Sequence, residues 1–133
     1  MIKISVPLFV TLPRKTKADK KVYLNLNTYR NLHYLVNNQV KHLFSEALES
    51  SLRGLKLKGE LDITYTLFKG SKRRIDRANI LCIVQKFFED ALVNHGVIPD
   101  DNDNYIRATH YLDGGLDKEN PRCEIDIIEI INN

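Results

Sequence analysis

The chain has 133 residues and a mass of 15.4 kDa, the length of one domain. With 43% hydrophobic and 28% charged residues it reads as a globular domain that needs no disulfide or structural metal, and no stretch nears the roughly 18 apolar residues of a membrane span. The net charge of +3 is unevenly placed: residues 1–86 hold 17 Lys and Arg against 6 Asp and Glu, residues 87–133 hold 3 against 11. This split points to a polyanionic partner beside a carboxylate site, or else to two solvated surfaces.

Residues 2–10 read as a first strand rather than a signal peptide, because the apolar run is short and charge follows it. Residues 13–22 read as a basic loop with Arg14, Lys15, Lys17, Lys20 and Lys21, either solvated or an arm for phosphates. A short extra strand is expected at 23–27. Thr28 is a candidate cap for a helix over 29–52, with Leu32, Leu35, Val36, Leu43, Phe44, Ala47 and Leu48 as its apolar stripe. Residues 60–68 alternate Leu61, Ile63, Tyr65 and Leu67 against Asp62, Thr64 and Thr66, the pattern of a half-buried strand.

A second basic run, Lys69, Lys72, Arg73, Arg74 and Arg77, surrounds Asp76. A helix is predicted over 77–95, ended by Gly96. The turn IPDDNDN, the strand YIRATHYLD, the turn GGLDKENPR and the strand CEIDIIEI complete the chain. The order β-α-β-α-β-β predicts a single α+β domain with a mixed sheet of four to five strands and two main helices. Cys82 and Cys123 sit in apolar segments and read as buried thiols of a reducing cytoplasm.

Asp76 precedes a helix, and Asp100, Asp101 and Asp103 follow it. Mg²⁺ takes one or two carboxylates plus water and substrate phosphate, and bound so it polarises a phosphodiester and activates water. Flanking cations would hold the phosphates that the acids alone repel. The plainer roles are an N-cap for Asp76 and a polar turn for Asp100–Asp103. His33, His42, His95 and His110 show no metal-ligand spacing, and there is no phosphate-binding Gly-rich loop.

The stretch KRRIDRAN…KFFEDALVNHGVIPDD resembles the RusA family of Holliday-junction resolvases, common in bacteriophages and prophages. Asp76 and Asn79 match the first Asp and the Asn of its Asp-x-Asp-Asn motif. Lys86 stands four residues before Asp90-Ala91-Leu92, as the family Lys does, and Gly96 and Asp100-Asp101 follow at family spacing. The closing ENPRCEIDIIEI also resembles the family's last strand. The resemblance implies a RusA-like fold and a homodimeric endonuclease for branched DNA that uses Mg²⁺, with Mn²⁺ as a possible replacement. It implies Asp76, Asp101 and Lys86 as catalytic residues and the two acids as metal ligands, with Asp100 and Asp103 as candidates to complete the metal set.

Two departures stand out. Ala78 replaces the second motif Asp, and the interval from Asp76 to Lys86 is longer by about one helical turn. An ungapped register would put Ile80 and Cys82 on the acid positions. Either Asp103, Asp100 or Asp90 makes up the site, or the scaffold binds DNA or another partner without cutting. Lys69, Lys72, Arg73, Arg74 and Arg77 are the expected DNA contacts, with Arg14, Lys15 and Lys17 as a second set.

Overall fold

The computed structural model describes residues 1–131. The chain runs β1 (Ile2–Val6), β2 (Phe9–Leu12), β3 (Lys20–Tyr23), α1 (Leu26–Asn31), α2 (Tyr34–Ala47), α3 (Glu49–Leu52), β4 (Glu60–Lys69), α4 (Arg77–Asn94), β5 (Ile106–Leu116) and β6 (Arg122–Ile130). It is an α+β domain with a mixed four-stranded sheet, order β1-β6-β4-β5, and a separate β2-β3 ribbon. Only the β4–β5 pair is parallel, as expected when α4 carries the chain back across the sheet.

The alternation over 60–68 is realised in β4: Leu61, Ile63, Tyr65 and Leu67 are all fully buried. They meet Ile125 and Ile127 of β6 and Leu81, Val84, Phe87, Phe88 and Leu92 of α4 in one core. Asp62, Thr64, Thr66, Glu124 and Asp126 share the opposite, half-buried face. Burying α4's apolar stripe against the sheet sets the direction of the helix, and so decides where its two ends lie.

Three expectations are corrected. The first strand is two strands, broken around Pro7, whose missing N–H interrupts a ladder. β2 leaves the main sheet and pairs with β3, so the basic loop narrows to residues 13–19 and the extra strand starts at Lys20. The helix predicted over 29–52 is three helices. Asn25, not Thr28, caps the first: its Oδ1 accepts from Thr28 N at 2.8 Å. His33 then caps α2 through Nδ1, accepting from Leu35 N at 3.2 Å. The break leaves Leu35, an expected stripe residue, 59% exposed.

The expected Gly-Gly turn also moves. Gly114 and Gly115 belong to β5, where the register against β4 shifts. A Cβ on Gly114 would stand 2.8 Å from the Phe68 ring, so the strand passes there only because the residue has no side chain. Gly96 stops α4 as predicted, with φ of 72°. Cys123 is buried, and burial pushes its thiol up to about 12, while Cys82 is only half-buried; both are free thiols. Among the described residues no helix is long and apolar enough to cross a membrane.

Candidate nucleic-acid interface

The β2–β3 ribbon has two unlike faces. Val10, Leu12, Val22 and Leu24 are buried in the core. Phe9 and Tyr23 stand opposite each other in the register, with Lys21 on the same outer face. Their rings lie 5.7 Å apart, and Lys21 Nζ sits 4.6 Å from the centre of the Phe9 ring. This outer face forms one wall of a cavity of about 1080 Å³. The other wall is the loop after β4, with Arg73 and Arg74, followed by Asp76 and Asn79 at the start of α4.

Two basic segments some 50 residues apart in sequence thus face one cleft, at a helix end whose free N–H groups add partial positive charge. Arg73 and Arg74 are exposed, and Lys72 and Arg77 flank them in the sequence, also exposed. Lys69 is less available, lying 4.0 Å from Asp113. Arg14, Lys15 and Lys17 lie in the connection between β2 and β3, where Arg14 Nε donates to Ala18 O at 2.8 Å.

Asp76 takes its plainer role. It is exposed and caps α4, its Oδ1 accepting from Ala78 N at 3.1 Å. The structure does not bring it to Asp101. Asp101 is within electrostatic reach of Asp90, and Asp90 is in the last two turns of α4. The 14 residues from Asp76 to Asp90 rise about 21 Å along the helix, far beyond the ~2 Å bonds through which two carboxylates share one Mg²⁺.

A different set gathers at that far end. Lys86 and Asp90 lie four residues apart on one face of α4, and the charge of Asp90 reaches Asp101. Asp90 accepts from Lys41 of α2 at 3.0 Å. The Asp100 carboxylate accepts from Asp101 N at 2.8 Å and from Asn102 Nδ2 at 3.0 Å, which ties it into its own turn. Asp103 is exposed in that turn. Glu89 is 6% exposed and accepts from Tyr65 Oη at 2.8 Å. Burial raises its carboxyl to about 7, and the charges of Asp101 and Asp90 add to that rise. Tyr111 Oη donates to Gln85 one turn below, joining β5 to the same helix face. Burial first, and then a hydrogen bond with Asp100, hold Asp101 above the usual range as well.

Among the described residues no three His, Cys, Asp or Glu side chains gather closely enough to hold one metal ion. Asp76, about 21 Å along α4 from Asp90, cannot share one Mg²⁺ with it. Asp90 with Asp101 is a two-carboxylate set, which Mg²⁺ accepts when a substrate phosphate and water fill the remaining positions. Cys82, Lys86 and Asp90 recur at four-residue spacing and so share one face of α4.

Phe9, Tyr23, Glu89 and Lys41 were not singled out from the sequence as site residues. Glu89 had a readable signal: it is an acid inside the apolar stripe of α4, eight residues after Leu81 and next to Phe88. The aromatic pair had none, since its opposition depends on a hairpin register. A scan against protein-family models gives no match, and neither does a search of curated proteins.

Proposed function

We propose that the chain is a RusA-like endonuclease for branched DNA, a bacterial or phage protein of the host cytoplasm. The observation that carries the reading is the cleft on which Lys21, Arg73 and Arg74 converge from two distant segments. Exposed cations so arranged hold phosphates and release counterions, which is the largest part of DNA affinity. From this cleft to the acidic end, α4 is about 27 Å long, the span of about eight phosphates of one strand. A strand along the helix would meet the cleft, then Lys86, then Asp90 and Asp101.

Asp90 and Asp101 would hold Mg²⁺, which when bound supplies charge neutralisation at the phosphate and a water of lowered pKa. Lys86, exposed beside them, would carry positive charge to the scissile phosphate. Lys41 holds Asp90 in place through its 3.0 Å contact. A four-way junction has two-fold symmetry and needs two cuts, so a C2 homodimer is the natural working form. One observation favours a second reading, a DNA-binding protein without cleavage: in either register a family acid is missing, at Ala78 in the one and at Ile80 and Cys82 in the other.

The deciding experiment compares a four-way junction, a flap and a linear duplex, each with Mg²⁺, Mn²⁺ or a chelator. The endonuclease reading expects metal-dependent cuts in the branched substrates. Junction binding without cuts in either metal selects the second reading. Light scattering with and without junction DNA tests the dimer.

A further inference from the structure

The cleft holds more than cations. Tyr23 is 54% exposed although its ring sits on a well-paired strand. The register stands it against Phe9, with Lys21 over the Phe9 ring, so the ribbon presents an aromatic pair edged by positive charge. The wall opposite carries two guanidinium groups, of Arg73 and Arg74, and the Asn79 carboxamide. Asn25 also lines the cavity; its Oδ1 is occupied by the cap on α1, which leaves its NH₂ as the group to offer.

A surface that only neutralises a duplex backbone has no use for exposed rings and amides, because the bases of a duplex are stacked and paired inside it. An unpaired base offers a π-face for stacking and a free edge for hydrogen bonding, and single strands are recognised by rings, amides and cations together. At about 1080 Å³, the cavity is at the top of the range of small-molecule sites, ample for one nucleotide.

Resting on the reading of this cleft as a DNA site, we propose that it receives one unpaired nucleotide, its base on the Tyr23–Phe9 wall and its phosphates on Arg73 and Arg74. The branch point of a junction or flap is where such a nucleotide is cheapest to extrude. The cleft would then select branched over linear DNA by itself, without contact to the acidic end of α4.

The test uses the full chain and two duplexes of equal length. One carries 2-aminopurine as a single-nucleotide bulge; the other carries the same base paired. The bulged duplex should bind about tenfold more tightly, and its fluorescence should be quenched as the base stacks. Tyr23→Phe should keep both effects. Tyr23→Leu should bring the ratio of bulged to paired affinity from about ten down to about one. Equal affinity for the two duplexes overturns the proposal while the DNA reading stands, and so does an equal loss on both with Tyr23→Leu. Failure to bind either duplex at low salt overturns both.

Discussion

At the start of α4, cations from two chain segments face an open cleft, and Asp76 is the carboxylate among the cavity's lining residues. At its end, Glu89, Asp90 and Asp101 lie within electrostatic reach of one another, with Lys41 paired to Asp90 and Lys86 one turn below. The first region has positive charge that seeks an anion. In the second, Glu89 and Asp101 are held above the usual carboxylate range, chiefly by burial. On the proposed reading, one helix would carry two complementary halves of a phosphodiester site, whereas the resemblance implies an acid at each end of it, Asp76 and Asp101.

Four perturbations separate the two ends, and the largest effect should come from the acidic one. Asp101→Asn should lower Mg²⁺-dependent cleavage by at least about 100-fold while sparing junction binding, read by gel cleavage and anisotropy. Asp76→Asn, which keeps a good cap, should leave cleavage near the wild-type rate. If the two results are reversed, the site lies at the other end of the helix.

Next in size is the cleft. Replacing Arg73 and Arg74 together by Ala should weaken DNA binding about 10- to 100-fold near 0.1 M salt. It should also flatten the log–log salt slope by about 2, at roughly 0.9 per lost phosphate contact. An unchanged slope would mean that these arginines are solvated surface.

The third concerns stability. Glu89 binds its proton more tightly folded, at about 7, than at the usual 4.5. Its contribution is therefore intact below about pH 4.5 and lost as pH rises through 7. In chelator, Glu89→Gln should remove that decline and, above pH 7, make the protein more stable than wild type by up to about 3 kcal/mol in denaturant melts. A variant less stable than wild type at pH 8 would show that the Tyr65 hydrogen bond outweighs the cost of burying the charge. The smallest effect is at the cap: Asp76→Ala should cost about 1 kcal/mol at neutral pH, with no change in cleavage beyond that of unfolding.

Much of the fold was legible because it is written in local periodicity. The period-two run of β4 and the stripe of α4 name their own buried faces, and Asp76 and Gly96 mark the ends of α4 within a residue or two. The segment over 29–52 was not legible in the same way. Its apolar spacing continues through the break at Leu32 and His33, where Leu32 ends α1 in extended backbone and His33 caps α2, and the His33 side chain gives little sign of that role.

The candidate site divides along the same line. Residue types and charge bias by themselves determined that there would be a basic surface and an acidic one, since side-chain charge needs no fold to be counted. Tertiary structure alone decided which members meet. Hairpin register turned Phe9, Lys21 and Tyr23 toward Arg73 and Arg74, and the packing of the turn after α4 brought Asp101 within electrostatic reach of Glu89 and Asp90. Distance through space depends on how the core closes, and neighbours along the chain carry no record of it.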